Sequence, residues 1–506
     1  MLSWGSVLLG KFSCLFECFS FIFSFSFLSL FLALLLCYQV FNLRFSVGFK
    51  NFFKFFLLVF LLVFFIVLTL KIYYFNYFLS YQQWQNFLIT HYFKNQQAEL
   101  LGIGRASYLS SLFGDTLLLL CVFVTLICWV ILGERFFLRI FLNLGYFLVF
   151  LVFTLNMVYT LNLLNLFLFF EFIFLPSLYF VYILGHSKKV DKTINFLLTW
   201  TFCGALIVFF GLGYLLGVYK TTSIFSLLKI NFSNLELLGL YLIFFFGFGV
   251  KVPLWPFHYW LTKVHVEAPA GFSIFLSGFL VKTALYCLFY FIFLFHNVVG
   301  YSISLGVIFW GSLDASIRMW FVVDIKKLIA FATIQEMNLI LIFFFLTWNL
   351  NLAIVNLFFL VHGVLSSLFF FLIEQVQRRT QTRNLTLLGG IVGFSTFLGV
   401  CFWGALLVFR GFPLFIKFFI EWELLFLLWE NYYYLGFIFF FFNSLFSVLG
   451  FSRVWFILLY GVPFKRTEVK LDLIKKDLYI CVFLLGILFF LNSCVVLFKC
   501  LVLKNK

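Results

Sequence analysis

Ionisable side chains recur inside the most apolar stretches of this chain, where a charge is costly to keep. At the centre of a membrane-spanning helix a charge costs about 2.5–3.5 kcal/mol on insertion scales, so chains keep such residues where they move ions or protons. A single pair is nearly as well explained by an ion pair that holds two helices together. Recurrence along consecutive apolar segments favours a polar relay through hydrated cavities, and the residues concerned are Glu171, Lys251, Lys282, Glu336, His362, Lys417, Glu421 and Glu423.

Lysine suits such a relay because in an apolar environment it exchanges its proton readily near neutral pH. If Glu171 lies near Lys251, its carboxylate favours the charged lysine, and its withdrawal releases the proton. The other histidines weigh less. His258 and His265 flank a Trp-rich loop, where anchoring at the membrane interface is at least as well supported as proton transfer.

The composition indicates where these residues must lie. Of 506 residues, 65% are hydrophobic and only 10% are charged. A soluble protein of this length needs more charge to cover its surface, so we expect an all-α polytopic membrane protein. The 87 phenylalanines answer no packing requirement, and they indicate drift in a T-rich organelle genome such as that of mitochondria.

Helical spans of about 20 residues position the ionisable groups. About fourteen spans are predicted, and two are broken, one at Pro253 and Pro256 and the other at Gly411 and Pro413. Basic residues concentrate in the loops after odd-numbered spans, which the positive-inside rule places on one side of the membrane with both termini on the other. This alternation requires 390–430 to be one broken span. The predicted spans are 13–37, 53–75, 114–133, 137–158, 160–184, 194–218, 236–262, 270–294, 302–322, 326–347, 352–374, 390–430, 434–461 and 478–503.

The two breaks suggest an internal repeat. Five spans separate them, which reverses their orientation, as in transporters built from inverted repeats. Broken helices leave free backbone carbonyls at mid-membrane, and these are tolerated only where they line a cavity. We predict three spans with a long 76–113 loop in residues 1–136, a first five-helix half-channel in 137–294 with its break near 253, a second, inverted one in 302–461 with its break near 413, and a basic loop with a final span in 462–506.

Other classes of site find little support in the sequence. The 11 cysteines are scattered through predicted spans, without the spacing of a zinc or iron–sulfur site. Neither an HExxH metal motif nor a phosphate-binding glycine loop is present. The net charge of +16 is spread over membrane-edge loops, so it does not indicate nucleic-acid binding.

Several motifs give the chain a specific resemblance. They are KVPLWPFHYWL from Lys251, HVEAP from His265, the FLVK run ending at Lys282, and FFEFIFLP, DIKKLIAFATIQEMN, LVHGVLSSLFFFL and RRTQTRN. Together they resemble the antiporter-like membrane subunits of respiratory complex I, the mitochondrial NADH dehydrogenase, over about 160–425. HVEAP favours the chain 4 branch of this family over the branches of chains 2 and 5.

The resemblance implies a role for each matching residue. Glu171 and Lys251 are implied as the charged pair of the first half-channel, Lys282 as a linking lysine, His362 as a connecting histidine and Glu421 as the terminal acid, with Glu423 as a rival. Three departures stand out. Glu336 occupies a relay position where the family usually has histidine, Thr262 replaces a proline, and the second break carries an unexpected Lys417.

The resemblance thus implies a proton-translocating subunit of NADH:ubiquinone oxidoreductase. It would couple electron transfer elsewhere in the complex to proton movement through Glu171, Lys251, Lys282 and Glu421. No cofactor is expected on this chain, since NADH, FMN, iron–sulfur clusters and ubiquinone would be held by other chains. Expected partners are neighbouring antiporter-like and other membrane-arm subunits and lipids, in the mitochondrial inner membrane with basic loops on the matrix side and termini in the intermembrane space. Two alternatives remain: a cation/proton antiporter subunit without a redox partner, and a purely structural membrane subunit.

Overall fold

The fold is taken from a computed structural model of the 506-residue chain. It describes residues 114–491 except 115, 126, 129–139, 161, 185–189, 347–351, 414, 431–432, 463–471, 475–476 and 490. The spans predicted at 13–37 and 53–75, and the 76–113 loop, lie outside the described residues.

Helices make up nearly all of the described chain. An apolar helical segment, Thr116–Thr125, precedes the labelled elements. These are α1 (Ile140–Tyr159), α2 (Leu163–Leu184), α3 (Val190–Tyr219), α4 (Asn234–Lys251), α5 (Tyr259–Glu267), α6 (Ala270–Phe275, a π-helical turn at Leu276–Leu280, then Val281–Leu294), α7 (Val298–Phe321), α8 (Ile325–Leu346), α9 (Leu352–Thr380), α10 (Thr396–Phe409), α11 (Ile416–Glu430), α12 (Tyr434–Val454, with a π-helical turn at Trp455–Leu459) and α13 (Asp477–Phe489).

The expectation of an all-helical membrane protein is confirmed. Seven helices in the described part are long and apolar enough to cross a membrane. The helices between 140 and 459 coincide closely with the predicted spans, because long apolar runs flanked by charges and turn residues leave little freedom in where a helix starts and stops. The total of fourteen spans stays a prediction.

The first break separates α4 from α5. Ser233 starts α4 with a capping box, in which its hydroxyl accepts from the Glu236 amide while the Glu236 side chain accepts from the Ser233 amide. The helix ends at Lys251, just before two prolines that cannot supply backbone donors to continue it. Across the gap, the Trp260 indole donates to the Val250 carbonyl at 2.7 Å, which satisfies a carbonyl at the helix end.

The second break separates α10 from α11. Helix α10 ends at Phe409 and α11 begins at Ile416. Gly411 lies between them with φ of +63°, a left-handed conformation that glycine adopts without steric cost. With 14 and 15 residues, each of these helices is shorter than the about 20 residues that a full crossing needs.

Helices α6 and α8 form the centre of the described bundle. The apolar stretch of each is buried along its whole length. Helix α6 packs against α4 and α9, and α8 packs against α5, α7 and α9. By contrast, α3 exposes large apolar side chains such as Phe202, Phe209 and Phe210, as expected of a helix face that lipid or another membrane subunit covers. The ionisable residues on α6 and α8 are therefore held in the interior.

Candidate functional site

The first charged pair joins α2 to the end of α4. Lys251 Nζ lies 2.6 Å from Glu171 Oε1, and the lysine is 4% exposed while the glutamate is 27% exposed. The ammonium also lies 4.3 Å from the centre of the Phe170 ring and 5.0 Å from that of Phe174. Since Lys251 is the last residue of α4, the partial negative charge of the helix terminus further favours its cationic form.

A second lysine lies at the centre of the bundle, on α6. Lys282 Nζ is 2.7 Å from His362 Nδ1 on α9, and both side chains are almost completely buried. The ammonium also donates to the Ser277 carbonyl, which lies in the π-helical turn preceding it. A π-helical turn disrupts the regular backbone ladder, a feature frequent at functional sites.

Glu336 on α8 continues the contacts beyond His362. Its Oε2 lies 3.7 Å from His362 Nε2, and its Oε1 lies 2.5 Å from Lys417 Nζ on α11. Glu336 is 2% exposed and Lys417 is 3% exposed. Lys417 also donates at 2.5 Å to the carbonyl of Phe409, the last residue of α10, and its Nζ is 3.8 Å from the centre of the Phe409 ring.

Glu421 completes the series on the far side of Lys417. Its Oε1 lies 3.7 Å from Lys417 Nζ, and it is 25% exposed. A Cβ atom at Gly411 would lie 2.8 Å from Glu421 Oε2, so the glycine allows the backbone of the break to approach the carboxylate. Of the two predicted terminal acids, Glu421 is the one that contacts Lys417, and Glu423 follows two residues later.

A small cavity adjoins this end of the series. Its volume is about 30 Å³, which is room for about two water molecules. Polar groups are prominent in its lining, among them Gln335, Lys417, Glu421, Asn443, Ser444 and Ser447. Water in such a cavity has several hydrogen-bonding partners, so it offers a proton a route away from Glu421.

Five ionisable groups thus form one continuous series across four helices, α6, α9, α8 and α11. Its members, in order of contact, are Lys282, His362, Glu336, Lys417 and Glu421. The Glu171–Lys251 pair stands apart, because no direct hydrogen bond joins Lys251 to Lys282 in the described part of the chain. The structure brings every predicted relay residue except Glu423 into one or other of these two groups.

Lys417 is the group whose role the sequence left unexplained. Its neighbour Glu336 is an acid where the family usually has a base, and the contact between the two follows from the packing of α11 against α8. A sequence signal was available in retrospect: an unusual acid and an unusual base occur together at membrane depth in one chain.

The structure buries both His258 and His265, for which the sequence left interfacial anchoring and proton transfer open. His258 is 2% exposed, and its Nε2 lies 3.3 Å from Asp314 Oδ2 on α7. His265 is fully buried, with its ring stacked on Phe370 at 4.7 Å. Both side chains lie inside the bundle because α5 packs between α3 and α8, which the Trp-rich sequence around them did not reveal.

Comparison with known proteins places this arrangement in context. A family described as "NADH:quinone oxidoreductase/Mrp antiporter, TM" matches residues 160–447. NADH-ubiquinone oxidoreductase chain 4 of Paramecium tetraurelia is 37% identical over 320 residues, which are 63% of this chain and 68% of that protein. The chain of the same name from Acanthamoeba castellanii is 30% identical over 422 residues, 81% of this chain and 80% of that one.

Solved structures share the fold. A chain of respiratory complex I from Thermus thermophilus with bound NADH superposes with a TM-score of 0.62 at 21% identity, covering 76% of this chain and 80% of that one. A chain of the Mrp complex from Dietzia sp. DQ12-45-1b superposes with a TM-score of 0.66 at 16% identity, covering 78% and 81%. At these identities the two structures establish a common fold, and they leave the role of each residue to be argued from its contacts.

Proposed function

Because this chain belongs to the NADH:quinone oxidoreductase/Mrp antiporter transmembrane family, we propose that its buried ionisable groups form the path along which it moves protons. The chain is a proton-translocating, antiporter-like membrane subunit of NADH:ubiquinone oxidoreductase, complex I. The observation that carries the assignment of the path is the series of contacts from Lys282 to Glu421, each between 2.5 and 3.7 Å, at the centre of the bundle.

The path begins with the Glu171–Lys251 pair. When Glu171 is in contact, the ammonium of Lys251 is stabilised, and when the contact opens, the lysine is left in a site where its charge is costly and it gives up its proton. Water between Lys251 and Lys282 would carry the proton onward, since the two are not in direct contact. Lys282 then passes it to His362, whose ring can accept at one nitrogen and release at the other.

The two broken helices give the path its symmetry. We assign α1 to α6 and α7 to α12 to two inverted five-helix repeats, with α4–α5 and α10–α11 as the corresponding broken spans. This assignment is supported by the location of a lysine–glutamate pair at each break. In both pairs the glutamate lies on the second helix of its repeat, which is α2 in the first repeat and α8 in the second.

The partners and the membrane location of the chain follow from its assignment as a complex I subunit. Other membrane subunits of the complex, above all neighbouring antiporter-like chains, and lipid cover the exposed apolar faces, and NADH, FMN, iron–sulfur clusters and ubiquinone are held by other chains. The chain resides in the mitochondrial inner membrane with its basic loops toward the matrix and its termini toward the intermembrane space. The phenylalanine-rich composition and the loop charges support this location.

The decisive test replaces Lys251 by methionine in the assembled complex. We expect Lys251→Met to lose proton translocation per NADH oxidised, because methionine keeps the apolar part of the side chain without its exchangeable proton. Lys263→Met is the matched control, since Lys263 is exposed on α5 and its ammonium lies over the rings of Phe196 and Tyr259. Unchanged translocation in Lys251→Met alongside normal electron transfer would show that the pair is structural.

A second measurement separates the redox-linked subunit from a free-standing antiporter. Affinity purification of the chain should recover NADH:quinone oxidoreductase activity in stoichiometric amount. Recovery of the chain with cation/proton exchange activity and no NADH oxidation would favour the antiporter instead.

A further inference from the structure

The two lysine–carboxylate pairs correspond closely in their geometry. In each, a lysine at the break of a helix meets a glutamate on a continuous helix 80 or 81 residues earlier in the chain. Lys251 is the last residue before the first break, and the Lys417 ammonium bonds the carbonyl of Phe409, the last residue before the second. Both ammoniums therefore lie at the carboxyl end of a half-helix, where backbone dipoles favour a cation.

The second pair differs from the first in having two carboxylates within reach. Lys417 Nζ lies 2.5 Å from Glu336 and 3.7 Å from Glu421, on opposite sides of the ammonium in the series. An ion pair that only holds two helices together requires a single carboxylate as the partner of the lysine. A lysine between two carboxylates can exchange one for the other by a small side-chain movement, and the flexible four-carbon stem of lysine permits it.

Exposure distinguishes the two carboxylates. Glu336 is 2% exposed, and it faces His362, the inward neighbour in the series. Glu421 is 25% exposed and lines the cavity of about 30 Å³ together with Lys417 itself. Lys417 thus stands between an enclosed carboxylate on the inner side and one that borders a cavity on the outer side, as expected of a group through which protons leave.

We propose that Glu336 and Lys417 form a second lysine–carboxylate switch, with Lys417 as the proton carrier between Glu336 and the outlet at Glu421. This rests on the proposed function and adds Lys417 as a relay residue. The Lys417 ammonium gives one proton to the Glu421 carboxylate, which leaves a neutral amine and a carboxylic acid. Glu421 releases that proton to cavity water. A proton from Lys282 passes through His362 to the Glu336 carboxylate and from there to the Lys417 amine, and Lys282 regains its proton from the side of the Glu171–Lys251 pair. One proton moves per cycle and every group returns to its starting state.

The test uses a double neutral variant, Glu336→Gln/Lys417→Met, in the assembled complex. Each single substitution leaves one buried charge without a partner, which destabilises the fold whatever the role of the pair, whereas the double variant removes both charges and spares that cost. We expect the double variant to assemble, and to lose proton translocation per NADH oxidised. If the double variant assembles and translocates protons as the unsubstituted complex does, the pair only stabilises the packing of two helices, and the proposal fails.

A matched control removes another ion pair that lies outside the series. Glu374 and Arg378 on α9 are 2.5 Å apart, and the variant Glu374→Gln/Arg378→Met should leave the ratio of protons to NADH unchanged. A conservative variant, Lys417→Arg, guards against failure of the double variant to assemble. It keeps the charge and hydrogen bonds, but the guanidinium does not give up its proton, so we expect assembly with loss of translocation, and retained translocation would overturn the proposal.

The outcome is distinguishable from failure of the proposed function. Loss of translocation in Lys251→Met with normal translocation in both Lys417 variants would reject the second switch, while the Glu171–Lys251 pair would stay in the path. Normal translocation in Lys251→Met would reject the wider path, whichever result the Lys417 variants give.

Discussion

At the scale of single residues, the site shows how an apolar bundle can hold several charges. Each of the three lysines of the site has a compensating partner: Glu171 for Lys251, Glu336 for Lys417, and for Lys282 the Ser277 carbonyl and the His362 ring. Two of the ammoniums also lie over aromatic rings, whose negative faces attract cations in dry surroundings. The abundant phenylalanine therefore contributes directly to the electrostatics of the site.

The types of the relay residues could be predicted from the sequence, and their partners only in part. A buried charge in an apolar span is visible in the sequence because of its cost. Helical spacing alone places Glu421, four residues after Lys417, within its reach. Whether Lys417 also meets Glu336 depends on the rotation and depth of α11 against α8, which apolar residues on all sides of both helices leave open. The same ambiguity hid the burial of His258 and His265.

His362 offers a prediction at this scale. Replacing it with glutamine keeps a hydrogen-bonding side chain next to Lys282 but removes the ring that accepts at one nitrogen and releases at the other. We expect His362→Gln to assemble and to translocate fewer protons per NADH oxidised. His265→Gln is the control, since His265 is equally buried but stacks on Phe370, outside the series. Equal translocation in the two variants would remove His362 from the path.

At the scale of elements, the two breaks were predictable because they are encoded locally. Pro253 and Pro256 end α4 through missing backbone donors, and Gly411 with Pro413 separates α10 from α11 in the same way. The π-helical turn in α6 was not predictable. Its residues, LSGFL, have ordinary helical character, and the altered backbone pattern goes with packing against α9.

The start of α10 also depends on a residue far along the chain. Asp472 accepts hydrogen bonds from the amides of Phe397 at 2.8 Å and Leu398 at 3.2 Å, and from the Thr396 hydroxyl at 3.1 Å. It therefore acts as the cap of a helix that begins 76 residues earlier. No local capping motif indicates this, because Ser395, at the cap position itself, makes no side-chain cap bond.

Asp472 gives a pH-dependent prediction. Partial burial opposes its ionisation, but hydrogen bonds from Phe397, Leu473, Leu398 and Thr396 outweigh burial and hold the pKa of Asp472 below its usual value. Its contribution to stability is therefore present above the ordinary aspartate pKa, and is lost as the pH falls through the lowered one. We expect Asp472→Ala to destabilise the chain by about 1 kcal/mol at neutral pH, the usual worth of a helix cap.

Thermal unfolding of the purified complex over a pH series measures this effect. The difference in midpoint between the unsubstituted and Asp472→Ala forms should shrink as the solution becomes more acidic. A difference that stays constant down to strongly acid pH would assign the effect to packing instead of to the carboxylate.

At the scale of the whole molecule, contacts at the helix ends agree with the alternation of loop charges. Arg383, after α9, donates to the Val266 carbonyl at 2.5 Å, and Lys326, at the start of α8, donates to the Ala268 carbonyl. The ends of α5 and α9 and the start of α8 thus meet at one end of the bundle. At the end of α6, Asn297 donates at 3.4 Å to the carbonyl of Asn234, at the start of α4.

This arrangement predicts which loops face the matrix. A cysteine at Lys263 or Arg378 should react with an impermeant thiol reagent in inside-out membrane vesicles, and a cysteine at Lys220 should react in intact mitochondria stripped of their outer membrane. The labelling of the chain without an introduced cysteine is subtracted as background, because the native Cys203 is exposed. Reaction of all three from the same side would contradict the proposed topology.

The π-helical turn of α6 has a consequence for how this protein tolerates change. Such a turn contains one more residue than the α-helix would need for the same advance, so it absorbs that residue without changing the phase of the helix beyond it. Deleting Val281, which lies between the turn and Lys282, would by contrast rotate everything downstream by about 100° about the helix axis, the angle for one residue. Lys282 would then point toward a different neighbour although its own codon was untouched. The phase of α6, as much as the identity of the lysine, is therefore what natural selection has to preserve here.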